Sequence, residues 1–417
     1  HPRWTRLASL PRGVVAEQLD AEGPGAPGVV TSARARAAAV IFAMLAAFAV
    51  LAFVLDLVGL DRSGPAKPPA KDFVAFWAAG SLALRGQAQA LYDNGIIEAF
   101  ERARVSMAPG YYAFYYPPPF LLLCIPLALL PYVPSLLLFE AGQAVLLWRL
   151  LRRILPQRWA LPLILSFPGF LMNVLSGQNG GLTAVCFAGA ALWLERRPLA
   201  AGACLGALVY KPQMALAVPI ALFAARRWRA AFAAAATAAG ICLISLVLLG
   251  SGPWKGFLVN APAARGDLEH LAGKWHMMAS LYADVRIAGG DVLFGYAAQA
   301  LLALVALGLL AHLCWRRPGA GAEAAGLAAT TLLVTPFLYD YDLAVMAVPL
   351  AWLAANATRL QPHAAEVVLL VALFLLPLGN AAIRAGLLAP LAPPFLLAAL
   401  LLVLSRALRE RPAHCPA

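Results

Sequence analysis

Apolar runs of roughly 15–25 residues recur along the whole chain, and they constrain its fold more than any other feature. At about 1.5 Å of rise per residue, a helical run of this length crosses the hydrocarbon layer of a bilayer. Within that layer backbone groups must be paired inside the chain, so the spans are expected to be helices. A mean hydropathy of +0.77 over 417 residues supports the same class, an all-α polytopic membrane protein.

The net charge of +12 would suit a nucleic-acid partner only if the cations formed a stripe with interleaved aromatics. Instead they sit in short clusters between apolar runs, among them Arg34/Arg36, Arg152/Arg153/Arg158, Arg196/Arg197, Arg226/Arg227/Arg229, Arg316/Arg317 and Arg406/Arg409/Arg411. Such clusters mark cytoplasmic loops, and no nucleic-acid partner is expected. The six cysteines are scattered, with no metal-ligand spacing, and read as small apolar packing residues.

With these clusters inside, residues 1–37 form a polar cytoplasmic segment, Ala38–Leu60 is an uncleaved first span, and residues 406–417 are a cytoplasmic tail. The chain opens on His1 rather than Met, which leaves room for residues upstream. Outer loops are expected at about 61–115 and 251–291. In the first, residues 72–85 and 95–105 read as short helices lying on the membrane surface, with LYDNG as the turn between them. Later spans are expected at about 158–175, 181–194, 199–211, 212–225, 230–249, 292–315, 321–338, 341–355, 364–379 and 386–405. Parity then allows one crossing between 116 and 157, with the Pro-rich run FYYPPPFLLLCIPLALLP as a half-helix, for a total of about twelve spans.

Charged groups at membrane depth cost about 2.5–3.5 kcal/mol each on insertion scales, so those that persist mark candidate sites. Asp72 opens the first outer helix, where it can serve as an N-cap to Val74 or Ala75, or as a chemical group. Lys211 lies between two apolar runs and can snorkel to the interface or face a site. Asp340 and Asp342 can cap a helix; two residues apart, they face different sides of one. Gln178 and Asn179 in SGQNGG can satisfy helix ends or bind a ligand. All of these, with Lys274 and His276, fall at the outer ends of spans. There a carboxylate suits deprotonation of a hydroxyl, and cations suit a phosphate leaving group.

In order along the chain, DFVAFWAAGSLALRGQAQALYD (Asp72–Asp93), YPPPF (Tyr116–Phe120), PLALLP (Pro126–Pro131), GQN (Gly177–Asn179) and AGACLGALVYKPQ (Ala201–Gln213) resemble glycosyltransferase family 87 over roughly residues 38–405. The family includes polyprenyl-phosphate-mannose-dependent α-mannosyltransferases of the bacterial envelope. The resemblance implies a GT-C-type helical bundle across 38–405, in the bacterial inner membrane, with its active site on the outer face. Asp72 then corresponds to the catalytic acid of the first outer loop. It would deprotonate an acceptor hydroxyl, which displaces polyprenyl phosphate from a hexose, mannose by family analogy, with inversion.

The acceptor would be an envelope glycolipid or glycan. Lys211, Lys274 and His276 would meet the phosphate, with Tyr116, Gln178, Asn179, Asp340 and Asp342 as further substrate-binding candidates. No metal and no other cofactor is expected. Characterised members carry a histidine-containing stretch where this chain has Tyr339-Asp340-Tyr341-Asp342, so either Asp340 or Asp342 takes over hydroxyl recognition or the substrate differs. The rival functions are a transporter or flippase of lipid-linked sugars and a non-catalytic partner of envelope assembly. The first would show inverted repeats and broken helices at midplane, neither of which the sequence suggests; the second would tolerate loss of Asp72.

Overall fold

The computed structural model describes residues 68–104, 112–155, 164–270, 275–357, 362–384 and 392–409, with part of 44–55. The expected segment 1–37, the expected tail 406–417 beyond Arg409, the candidate Lys274, and most of the first span lie outside these residues, while 406–409 belong to the helix Ala392–Arg409. Every described element is helical.

Among the described residues, four helices are long and apolar enough to cross a membrane: Tyr132–Ile154, Trp228–Leu249, Val292–Trp315 and Ala392–Arg409. Trp228–Leu249 and Val292–Trp315 turn wide apolar faces outward, with Val247 72% and Leu293 79% exposed. A helix that is apolar all round and still exposed needs lipid rather than water around it. Ala320–Val334 is the opposite case. Nearly all of it is buried, and it packs against Gly180–Trp193, Val292–Trp315 and Ala392–Arg409 as the centre of the bundle.

The segment before Tyr132–Ile154 is short, as its prolines dictate. Pro117 to Pro119 start a 3-10 turn at Pro118–Phe120, which runs into Leu121–Leu127. Ten helical residues rise about 15 Å, half the hydrocarbon thickness. Several later runs are also interrupted. Pro168–Ser176 ends at Gly177 before Gly180–Trp193 begins, a 3-10 turn on each side of Lys211 follows Pro198–Ala207, and a 3-10 helix at Asp340–Met346 precedes Ala347–Ala357. Non-helical backbone at such points is tolerated because it is buried in protein, and these breaks meet one another.

The two short helices expected in residues 61–115 form, at Phe73–Leu84 (α1) and Asn94–Arg104 (α2). Both are expected on the membrane surface, but only α2 has the amphipathic pattern that suits this. On α1, nine of the twelve residues are buried, so it enters the bundle instead of lying on its surface. Aromatic packing is the cause. The Phe76 ring meets the rings of Phe120 at 4.9 Å, Tyr116 at 5.3 Å and Phe139 at 6.1 Å, while Phe73 covers Tyr132 and Phe139.

In α2, Glu101 is buried, and one carboxylate oxygen accepts the Tyr112 amide at 2.8 Å. Burial pushes its carboxyl up to about 8 from an ordinary 4.5. Between those values the unfolded chain gives up this proton and the folded chain keeps it, so folding stability falls as pH rises through the window. Glu101→Gln should flatten that fall, measured as the midpoint of thermal unfolding between pH 5 and pH 8.

Candidate active site

Asp72 stands at the N-terminus of α1 in helical backbone conformation, and its side chain makes no capping bond. The N-cap role open to it in the sequence is therefore not the one it takes. Its amide donates to the Ser176 carbonyl at 3.0 Å, which ties the start of α1 to the end of Pro168–Ser176. Gly177 makes this approach possible. It ends that helix with φ +71°, and a Cβ there would stand 2.6 Å from the Ala70 carbonyl oxygen.

The Asp72 carboxylate instead accepts a hydrogen bond from Gln178 Nε2 at 3.1 Å, and Gln178 Oε1 accepts one from the Tyr116 hydroxyl at 3.1 Å. Burial raises the Asp72 pKa, offset by the Gln178 hydrogen bond and then by the charge of Lys71. A carboxyl held this way is a stronger base than an exposed one. Phenols of Tyr112, Tyr116, Tyr339 and Tyr341 lie within reach of its charge.

A second set of contacts joins the same turn to the late part of the chain. Lys211 is 3% exposed, so it does not snorkel. Its Nζ pairs with Asp342 Oδ1 at 2.5 Å and donates to Asn179 Oδ1 at 3.1 Å. The ammonium also lies 5.1 Å from the centre of the Tyr341 ring and 6.0 Å from that of Tyr116. Asp342 does cap as well, since its other oxygen accepts the Tyr339 amide. Asp340 is buried, with Oδ1 accepting the Tyr341 amide at 2.8 Å. The two acids thus point apart, and Asp342 is the one that faces Lys211.

Gln178 and Asn179 are adjacent in sequence and serve the two halves of the site, one on Asp72 and one on Lys211. They sit where Gly180–Trp193 begins, and Gly180 brings that helix end against the 339–342 turn. A Cβ on Gly180 would stand 2.2 Å from the Tyr341 carbonyl oxygen, inside any tolerable contact. Gly180→Ala should therefore lower stability by on the order of 1–3 kcal/mol, read as thermal unfolding in detergent, and should also impair any activity that needs Lys211 beside Asn179.

Of the candidates from sequence, Asp72, Tyr116, Gln178, Asn179, Lys211 and Asp342 form this connected group. Asp340 lies in the same turn. His276 is exposed and stands outside the hydrogen-bonded group. Its neighbours do reach the site through their backbone: the Asp340 amide donates to the Met277 carbonyl and the Ala279 amide to the Leu338 carbonyl. Tyr115 donates from its hydroxyl to Asp267 of Gly252–His270, a residue that sequence reading passed over. It also passed over Glu140, Gln143 and Asn173, three buried polar side chains under the 177–182 turn. Their only signal was a polar type at a buried helical position. Among the described residues no three His, Cys, Asp or Glu side chains converge as a metal site.

The model of glycosyltransferase family 87 matches residues 114–336, more than half of the chain. The match takes in Tyr116, Gln178, Asn179 and Lys211; it begins after Asp72 and ends before Asp340. No curated protein and no solved structure matches the chain. The order of the site motifs and the extent of this match lead to one conclusion: the chain belongs to glycosyltransferase family 87, and is a membrane-embedded glycosyltransferase.

Proposed function

We propose that the protein transfers a hexose, mannose by family analogy, from a polyprenyl-phosphate donor to an envelope glycolipid or glycan. Transfer takes place at the outer face of a bacterial inner membrane, in a bundle of about twelve spans. Asp72 is the general base. It takes the proton of the acceptor hydroxyl as that oxygen attacks the anomeric carbon; the bond to phosphate breaks and polyprenyl phosphate leaves, with inversion. The observation that carries this reading is that the Asp72 carboxylate, unused as a helix cap, is held by Gln178 on the same turn whose next residue, Asn179, holds Lys211.

Lys211 is already paired with Asp342. In this reading the pair shapes the donor side of the site, and Lys211 meets the phosphate by exchanging part of its contact with Asp342. Asp340 and Asp342 take the place of the family's histidine-containing stretch in recognising hydroxyls. The test is transfer by purified, reconstituted protein from labelled polyprenyl-phosphate hexoses to total membrane lipid. Incorporation into lipid or glycan from one of these donors is the expected result. Incorporation from a nucleotide sugar alone, with none from polyprenyl-phosphate hexoses, would overturn the donor assignment.

A further inference from the structure

Glu140 lies in the third turn of Tyr132–Ile154, a helix long enough to cross the membrane, and is only 4% exposed. A carboxyl at such a place is costly and calls for a reason. None of its described contacts is with a cation. Its Oε2 accepts hydrogen bonds from two side-chain amides, Gln143 Nε2 and Asn173 Nδ2, both at 3.2 Å. Its Oε1 is buried without a hydrogen-bond partner among the described residues.

Those two amides hold the turn that carries the active-site contacts. Gln143 Nε2 also donates to the Gln178 carbonyl at 3.0 Å, and Gln143 Oε1 accepts the Leu182 amide at 2.9 Å. Asn173 Oδ1 accepts the Gly181 amide at 3.2 Å. Each amide thus turns its oxygen to the open N-terminus of Gly180–Trp193 and its NH2 to Glu140. An Asn or Gln amide has two ends of opposite polarity, and its orientation is selected by N–H donors at the oxygen end and acceptors at the NH2 end. Glu140 is the acceptor common to both amides, beside the Gln178 carbonyl for Gln143 and Gln143 Oε1, at 3.4 Å, for Asn173. A flipped amide would set an NH2 group against the backbone N–H of Gly181 or Leu182 and release the turn.

We infer that Glu140 is a positioning residue: through Gln143 and Asn173 it fixes the 177–182 turn and so holds the Gln178 amide on Asp72. The inference rests on Asp72 as the base for its catalytic meaning, but the linkage itself can be measured without turnover. One acceptor oxygen carries the role, and glutamine offers that oxygen too.

The experiment is an infrared pH titration of the Asp72 carboxyl in the purified full-length protein, its band identified by loss in Asp72→Asn. The groups that face this carboxyl are Lys71, Gln178 and the phenols of Tyr112, Tyr116, Tyr339 and Tyr341. In Glu140→Leu the midpoint should rise by about one pH unit, the size expected from losing one hydrogen bond to a carboxylate. Glu140→Asp, which withdraws the oxygen by one methylene, should raise it likewise and serves if the leucine variant does not fold. Glu140→Gln should return the midpoint to that of wild type, and in a Gln178→Leu background Glu140→Leu should add nothing. The acid limb of transfer activity should move with the midpoint.

An unmoved midpoint beside a lowered melting temperature would reduce Glu140 to a structural group and overturn the inference. So would a glutamine variant displaced as far as the leucine one, or a shift undiminished in the Gln178→Leu background. Normal transfer by Asp72→Asn would instead remove the catalytic reading while leaving the titration, and with it the linkage, intact.

Discussion

Asp72→Asn should lower glycosyl transfer by about 10²–10⁴-fold, the range a positioned general base contributes, with thermal unfolding close to wild type. Asparagine keeps the shape of aspartate and an oxygen for Gln178 Nε2, so the hydrogen-bonded turn survives; only the basic oxygen is lost. Asp72→Ala should lose transfer as well and be less stable by about 1–3 kcal/mol, because the buried Gln178 Nε2 is left without its acceptor. Losing a working N-cap costs about 1 kcal/mol, but this side chain makes no cap bond to lose. The wild-type pH profile gives a second reading. Burial raises the Asp72 pKa, so the base is ionised only at higher pH than an exposed aspartate, and transfer should climb as pH rises through that value. Transfer and melting temperature measured side by side in proteoliposomes decide the matter. Full transfer by both variants would sink the role of Asp72.

The sequence made the helical class readable because apolar period and length suffice for it, and both α1 and α2 end within about two residues of their expected bounds. The same periodicity misjudged how α1 is buried. Its polar residues at the ends suggested a wet face, yet Phe73 and Phe76 find aromatic partners at 116, 120, 132 and 139 on several sides. Local pattern carries no information about partners so distant in the chain.

The site divides along similar lines. Asp72, Gln178, Lys211 and the acids at 340 and 342 stood out because polar residues at the ends of apolar runs are conspicuous. Their pairing was beyond reach: nothing near Lys211 indicates that Asp342, 131 positions away, is its partner, nor that Asp340 turns elsewhere. Glu140, Gln143 and Asn173 were passed over for the reverse reason. Glu140 and Gln143 share one helix and Asn173 lies on another, each flanked by apolar residues, and only the fold shows that all three converge under one turn.

Lys211→Met should destabilise the protein by about 3–5 kcal/mol, because it leaves the Asp342 carboxyl buried with its cation removed. Asp342→Leu should cost a similar amount by stranding the ammonium, which the rings of Tyr341 and Tyr116 and the Asn179 oxygen compensate only in part. The double variant should be more stable than either single one, since a buried pair of opposite charges repays its desolvation poorly and two apolar side chains of similar volume need none. Transfer should follow a different course. It should be lost in both single variants and remain lost in the double, because stability is regained without a cation for phosphate or an acid for hydroxyls. Melting temperatures of the four proteins give the coupling energy directly, and transfer assays on the same samples separate it from function. Additive losses would mean that the two side chains do not depend on each other. Transfer restored in the double variant would mean that the pair holds the 339–342 turn in place and takes no part in binding substrate.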